Sequence, residues 1–279
     1  MTDTSLYPLL ERIAAALERL APPAEPPFDL SGARLFRCSG ERLTLTAAPD
    51  YPLDISLLLG VDRQKRIFSA NLERFALGLP FNAALLWGVR GAGKSSLVKA
   101  AFMAAARVHS GLRLIEIETD HLAALPRLFE KLRAVEERVL VFCDDLSFED
   151  GAGEAKALKS ALEGGVAGPP SNVLFVATSN RRHLMPRDHL SDDAMAAAED
   201  AEESVSVSDR FGLWIGFPPM DQPTYLAAVH AYAERFGLEV EHIERRALQW
   251  SVQRGARSGR VAMQFIRDLA GELGRTLPV

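Results

Sequence analysis

Cysteine is scarce in this sequence: only Cys38 and Cys143 occur among 279 residues, and they lie in different sequence contexts. A disulfide-rich secreted scaffold is therefore excluded, and a reducing, cytoplasmic setting is expected. The six histidines are scattered, and the sequence has neither a CxxC nor an HExxH motif. A structural or catalytic zinc site is accordingly not expected.

Long apolar runs and an excess of positive charge are also missing. No run approaches the roughly 20 residues that a membrane-spanning helix needs, so no membrane contact is expected. The opening MTDTSLYPLLERIAAALERL lacks a basic segment and carries acids inside its apolar pattern, which is not typical of a signal peptide. The net charge of −5 does not give the overall basic field of a dedicated nucleic-acid coat protein.

One turn matches the phosphate-binding pattern GxxxxGK[ST] at every fixed position. It follows the apolar run 83–87 and precedes the helix-forming stretch 96–107, which is the context that this motif requires. Glycines let several backbone N–H groups point inward at a phosphate chain, and the following helix adds its positive dipole end. The sequence therefore predicts nucleotide contacts from Gly88, Val89, Arg90, Gly91, Ala92, Gly93, Lys94, Ser95 and Ser96.

Two side chains of this turn have distinct predicted roles. Lys94 is expected to reach the β and γ phosphates, and the Ser95 hydroxyl is expected to ligate magnesium. The alternative is a glycine-rich turn between a strand and a helix with no ligand. That alternative explains neither the lysine nor the serine, so nucleotide binding is favoured.

Two carboxylates follow a second apolar run, 139–143, of strand length. A strand that ends in a carboxylate places it at the carboxyl edge of the sheet, where ligands of open α/β sheets bind. Asp144 is then the candidate for holding magnesium, and Asp145 the candidate for polarising an attacking water. The alternative is that both acids only cap the next element.

A polar residue, Asn180, comes shortly after the apolar strand predicted at 173–178. If this strand lies between the strand of the phosphate-binding turn and the strand of Asp144, Asn180 ends up beside the γ phosphate. It could orient the attacking water there. Asparagine alone is weak evidence, because it is common in turns.

The chain divides into three predicted parts. Residues 1–57 form a prefix with an amphipathic helix over 4–20, a proline-rich linker over 21–27 and two short strands at 33–38 and 41–47. The helix either docks on its own domain or acts as an arm that binds a partner or a neighbour.

Strands and helices alternate over 58–219, which predicts a three-layer α/β domain with a parallel five-stranded sheet. From 220 to 279 the pattern is purely helical and predicts a small all-α lid, with helices near 221–237, 241–254 and 259–273. An acidic, alanine-rich segment at 191–208 is expected to be a solvated helix face or a loop.

The order of these motifs, continued by Ser208-Asp209-Arg210-Phe211 and Ser258-Gly259-Arg260, resembles an AAA+ ATPase module over about residues 58–274. The phrases LLWGVRGAGKSSLVKA, VFCDDLSFED, ALKSALEGG, ATSNRRHL and SDRFGLWIGF are similar to an uncharacterised bacterial family of predicted AAA+ ATPases. That family is named only as a domain of unknown function.

The resemblance implies a P-loop NTPase that binds ATP and Mg²⁺, with a Walker A site at 88–95, a Walker B site at Asp144 and Asp145, and sensor 1 at Asn180. It implies that Arg210 is an arginine finger completing a neighbouring subunit's site, and hence that the protein is a homo-oligomer. Arg260 matches sensor 2. For both arginines the alternative is a surface salt bridge. The adenine contacts implied by the resemblance are Leu59, Gly60 and Val61.

Two departures from common AAA+ patterns narrow the activity. Asp145 stands where many motors have glutamate, although replication initiators and helicase loaders often carry aspartate there. Residues 118–129 lack the aromatic-apolar-glycine pore loop of protein unfoldases, which disfavours a threading translocase.

Three activities stay open on the sequence. The first is an ATP hydrolase that switches assembly or remodels an unknown partner, and the second is a loader-like binding module with slow turnover. The third, a small-molecule kinase, is disfavoured by Arg210 and the lid. Contact with DNA or RNA is open because two basic clusters occur. They comprise Arg181, Arg182, His183 and Arg187 near the sheet edge and Arg245, Arg246, Arg254 and Arg257 in the lid.

Overall fold

A computed structural model describes residues 6–20, 28–40, 43–146, 152–163, 168–180 and 210–277. The proline-rich linker, the acidic segment 191–208 and the basic cluster at 181–187 lie outside these residues. Within the described part of the chain, no helix is long and apolar enough to cross a membrane.

A single sheet organises the described residues. Its strands are β1 (Leu35–Ser39), β2 (Thr44–Ala48), β3 (Ala84–Gly88), β4 (Leu112–Ile117), β5 (Arg138–Cys143), β6 (Val173–Ser179) and β7 (Leu213–Phe217). The strand order is β2-β1-β4-β5-β6-β3-β7. All neighbouring pairs are parallel except β1 and β2, which form an antiparallel pair.

The sheet has seven strands rather than the predicted five, because the two strands of the prefix extend it. β1 pairs in parallel with β4, and Leu35 and Phe36 are buried in the two cores of the sheet. These apolar side chains leave water only if their strand joins the sheet, so packing determines where the prefix lies. The five predicted strands are all present and parallel.

Helices cover both faces of the sheet. Helices α2 (Asp62–Ala76) and α3 (Lys94–Val108) pack on one face, and α4 (Leu125–Leu132) and α5 (Ala152–Glu163) pack on the other. Along β5 the side chains of Val139 and Val141 face one layer and those of Leu140 and Phe142 the other, all fully buried. This double burial explains why the strand is continuously apolar, as parallel sheets covered on both faces are.

Three helices follow the sheet and form their own core. They are α6 (Gln222–Arg235), α7 (Ile243–Gln253) and α8 (Gly259–Glu272). Asp221 and Ser258 cap α6 and α8, since their side chains accept hydrogen bonds from the backbone N–H groups of Thr224 and Val261 at 2.9 and 3.2 Å. Leu53, Leu57 and Leu59 pack against this helical core, so the chain just before α2 supports the lid.

The amphipathic helix α1 (Leu6–Leu20) begins the described chain. Its residues from 7 to 14 are exposed, including the apolar side chains of Tyr7, Leu9, Leu10 and Ile13. Both predictions for this helix, docking on its own domain or binding a partner, therefore stay predictions.

Candidate functional site

The predicted phosphate-binding turn leaves the carboxyl end of β3 and leads into α3. Gly88, Gly91 and Gly93 have φ values of 141°, 81° and 94°, a region that favours glycine. A Cβ atom on Gly88 would lie 2.3 Å from the carbonyl oxygen of Phe217 on β7, the neighbouring strand. The glycines of this motif are therefore required by the geometry of the turn.

Lys94 begins α3 and lies across this turn with only 6% of its surface exposed. Its Nζ donates hydrogen bonds to the carbonyl oxygens of Gly88 and Val89 at 2.8 and 3.0 Å and to Oδ1 of Asn180 at 2.9 Å. Burial lowers the pKa of Lys94, and the nearby carboxylates of Asp145 and Asp144 oppose this shift. The ammonium group of Lys94 is thus held beside the phosphate-binding turn.

The predicted magnesium ligands are in contact. Ser95 Oγ donates a hydrogen bond to Oδ1 of Asp144 at 2.5 Å, and Thr178 Oγ1 donates to the same carboxylate oxygen at 2.5 Å. Hydroxyl and carboxylate oxygens are the donors that Mg²⁺ prefers, so Ser95 and Asp144 fit this metal.

The second carboxylate is turned by its backbone. Asp145 has φ of 59°, a left-handed conformation that aspartate adopts more readily than most residues. Its Oδ1 accepts a hydrogen bond from the side-chain amide of Asn180, and its Oδ2 lies 3.7 Å from Nη2 of Arg90. β6 does lie between β3 and β5, so Asn180 is in the position that the sequence argument required.

A cleft of about 710 Å³ opens from the phosphate-binding turn toward the lid. One of its walls comes from a segment that the sequence did not predict for the site. Tyr51, Pro52, Leu53 and Leu57 come from the prefix, and Tyr51 Oη donates to Ser96 Oγ at 3.3 Å. The sequence signal that could have identified them is the apolar cluster that they form between the second predicted strand and the helix that follows it.

The predicted adenine contacts lie elsewhere. Leu59 packs against the lid core, Val61 is the N-cap of α2 and is buried in the core of the sheet, and Gly60 lies against α6. None of the three lines the cleft; their neighbour Leu58 does. As contacts to adenine, these three residues stay a prediction.

Helix α8 supplies the lid wall of the cleft. Arg260, the predicted sensor 2, lines it together with Met263, Gln264 and Arg267. These positions repeat every three or four residues, the spacing that places side chains on one helix face. Extending this spacing from Arg260 would have found them in the sequence. The lid also packs closely against the turn, since a Cβ atom on Gly91 would lie 2.9 Å from Oγ of Ser258.

A family model described as a protein of unknown function, DUF815, matches residues 32–273. The chain belongs to this family. Among curated proteins, none matches the sequence of this DUF815 protein.

Solved structures show which fold this DUF815 protein has. It is similar to the Aeropyrum pernix Orc1 protein, solved in complex with DNA, with a TM-score of 0.60 and 17% sequence identity. The match covers 82% of this chain and 65% of the Orc1 chain, so the protein spans only about 65% of that chain's length. At this identity the match shows the fold alone, which is the AAA+ P-loop fold.

Two further similarities have lower TM-scores. The Thermotoga maritima RuvB Holliday junction branch migration motor matches with a TM-score of 0.48 and 15% identity, over 81% of this chain and 85% of RuvB. A chain of the Escherichia coli MS115-1 HORMA:CdnC:Trip13 complex matches with a TM-score of 0.48 and 14% identity, over 81% of this chain and 91% of that one.

Arg210, the predicted arginine finger, forms a contact away from the cleft. Its Nη2 lies 2.5 Å from Oε1 of Glu163, the last residue of α5, and 44% of its side chain is exposed. The structure thus does not bring Arg210 to its own chain's cleft. This position is compatible with action on a neighbouring subunit and equally with the surface salt bridge named as the alternative.

Proposed function

We propose that this DUF815 protein binds and hydrolyses Mg-ATP at interfaces between its subunits, and that it uses the cycle to drive assembly or to remodel a partner. One observation carries the proposal. Lys94, Ser95, Asp144, Asp145 and Asn180 converge at the carboxyl ends of three adjacent strands, in direct hydrogen-bond contact. A lysine, a magnesium-binding pair and a second carboxylate are the groups that phosphoryl transfer to water requires.

We expect residues of this network to exchange partners when a nucleotide binds. Lys94 satisfies the carbonyl oxygens of its own turn, so a triphosphate offers its Nζ stronger, charge-assisted acceptors. Asn180 joins Lys94 to Asp145, which places its amide between the phosphate end of the cleft and the carboxylate that would polarise water. Bound Mg²⁺ would neutralise charge on the phosphates.

The first test of this proposal is steady-state ATP hydrolysis measured over a range of protein concentrations with Mg²⁺, alongside light scattering to follow mass. We expect specific activity to rise as an oligomer appears, because Arg210 would complete the site of a neighbouring subunit. Hydrolysis at a constant specific activity, by a protein that stays monomeric throughout, would contradict sites shared between subunits.

A mixing experiment tests Arg210 directly. Arg210→Ala should retain ATP binding and lose turnover, and adding subunits that carry Asp145→Asn with an intact Arg210 should restore part of it. Arg63→Ala, which removes an exposed arginine of α2, is the matched control. If mixed subunits co-assemble and stay inactive, Arg210 does not act on its neighbour.

A slow nucleotide-dependent switch, similar to loader proteins, is the second candidate. It is favoured by Asp145, whose short carboxylate is engaged by Asn180 and faces Arg90. Tight ATP binding with negligible turnover, even where the oligomer is present, would support this candidate over the first.

Nucleic-acid contact through the lid cluster is a third candidate function. Arg246 pairs with Glu272 at 2.5 Å, and the guanidinium of Arg254 stacks on Trp250 with its carbon 4.8 Å from the ring centroid. Two of the four arginines thus already have partners within the lid. Salt-dependent DNA binding that disappears in Arg245→Ala/Arg257→Ala would support such a contact.

A further inference from the structure

Thr178 is a buried residue with no role in the proposal above, yet it contacts both acids of the site. It lies near the carboxyl end of β6 and is 1% exposed. Its Oγ1 donates a hydrogen bond to Oδ1 of Asp144 at 2.5 Å and accepts one from the backbone N–H of Asp145 at 2.9 Å. One hydroxyl therefore joins two consecutive residues of the neighbouring strand end.

We infer that Thr178 is a positioning residue that fixes the magnesium carboxylate of Asp144 and the backbone turn of Asp145. This inference rests on the proposed function, because it assigns a role within the same site. Thr178 acts through the two aspartates and need not touch the nucleotide or the metal.

The hydrogen-bond directions determine what the hydroxyl does. Asp144 Oδ1 accepts from both Thr178 and Ser95, so it is held from two sides. Neither of these bonds uses Oδ2. Ser95 can donate its hydrogen bond to Asp144 and still offer an oxygen lone pair to a metal, because a hydroxyl has one donor and two acceptor sites. The hydrogen bond from Thr178 thus leaves Oδ2 of Asp144 available as a ligand for Mg²⁺, should the metal bind there.

The backbone of the next residues depends on the same threonine. The carbonyl oxygen of Thr178 accepts from the N–H of Leu146 at 2.7 Å, and Leu146 is fully buried. The N–H of Asp145 itself is bonded to Thr178 Oγ1. Thr178 thus holds the peptide groups before and after Asp145, which stabilises the left-handed conformation of that residue. The direction of the Asp145 carboxylate toward Asn180 follows from this conformation.

The roles of hydroxyl and methyl can be separated by substitution. Thr178→Val keeps the shape and removes the donor and acceptor, whereas Thr178→Ser keeps the hydroxyl and removes the methyl group. Hydrogen bonds to charged groups contribute enough that losing one typically changes a rate or affinity by tenfold to a hundredfold. Thr46→Val, an exposed threonine on β2, is the matched control in the same sheet.

The experiment measures ATP hydrolysis at increasing Mg²⁺ concentration, and ATP binding in excess EDTA, for the wild type and the three variants. Thr178→Val should raise the Mg²⁺ concentration for half-maximal activity and lower kcat, each by roughly tenfold or more, while metal-free ATP binding changes little. Thr178→Ser should restore both parameters to near the wild-type values, and Thr46→Val should leave them unchanged.

Two results would overturn the inference. Thr178→Val with wild-type Mg²⁺ dependence and kcat would show that the hydroxyl positions nothing. Thr178→Ser as defective as Thr178→Val would show that packing of the methyl group matters instead. A wild-type protein that neither hydrolyses ATP with Mg²⁺ nor binds it in EDTA would instead refute the proposed function, so the two failures are distinguishable.

Discussion

The two ends of the cleft are built differently. At the phosphate end, Lys94, Asp144, Asp145 and Asn180 are held by side-chain hydrogen bonds between neighbouring strands and α3. At the lid end, the walls are formed by apolar and cationic side chains from the prefix and from the lid helices α6 and α8. The first end is fixed by the sheet, whereas the second depends on where the lid packs.

This difference predicts a division of binding energy. A triphosphate should be recognised at the phosphate end, and the nucleoside should be recognised at the lid end. Inorganic tripolyphosphate is therefore a useful probe, because it has the phosphate chain and lacks the nucleoside. A substitution at the phosphate end should weaken the binding of both ATP and tripolyphosphate, whereas a substitution at the lid end should weaken only the binding of ATP.

The largest effect is expected at the phosphate end. Asp144→Asn removes a charged magnesium ligand, so ATP hydrolysis should fall at least about a hundredfold. Excess EDTA added to the wild type should have a similar effect. Assays with the wild type, Asp144→Asn and Arg63→Ala check this, and full activity of Asp144→Asn would contradict the assignment of Asp144.

A smaller effect is expected at the lid end. Met263→Ala removes an apolar side chain from the wall, so ATP affinity should fall roughly tenfold, while tripolyphosphate affinity should not change. Calorimetric titration with both ligands measures the two affinities. Val252→Ala, at an exposed position of the lid, is the control. Equal losses for both ligands would mean that the two ends are not separable.

A third effect, on stability rather than on binding, concerns the joint between the lid and the sheet domain. Gly60 has φ of 75°, and an added Cβ atom would lie 2.5 Å from Cγ2 of Thr224 at the start of α6. Gly60→Ala should lower the free energy of unfolding by about 1–3 kcal/mol, measured by denaturant titration.

Thr224→Ser is the matched second change for this joint. It removes the clashing methyl group, so it should recover part of the loss in Gly60→Ala, and the remainder reflects the positive φ alone. If the double variant is no more stable than Gly60→Ala, contact with Thr224 is not the cause.

Sequence reasoning predicted the phosphate end more completely than the lid end. Gly88, Lys94 and Ser95 belong to one short stretch of sequence, and one turn determines their spacing, so a motif identifies them. Asp144 and Asn180 follow apolar strands, and parallel strands bring their carboxyl ends together. Strands β3 to β7 were predicted from the alternation of apolar runs with helical patterns.

The lid end could not be predicted in this way. Tyr51 and Arg267 are far apart in the chain and meet only because the prefix and α8 pack around the same cleft. The extension of the sheet by β1 likewise depends on packing between Phe36 and the core beside β4, which no local pattern encodes. Thr178 was visible in the sequence only as one more residue of a buried strand.

The central claim is that the cleft binds a magnesium nucleotide through Lys94, and calorimetric titration of Mg-ATP into the wild type and Lys94→Ala tests it most directly. Lys65→Ala, on α2, is the control. The account predicts saturable binding to the wild type and to the control, with affinity at least about a hundredfold weaker in Lys94→Ala. Equally tight binding to wild type and Lys94→Ala, or none to the wild type, would contradict it.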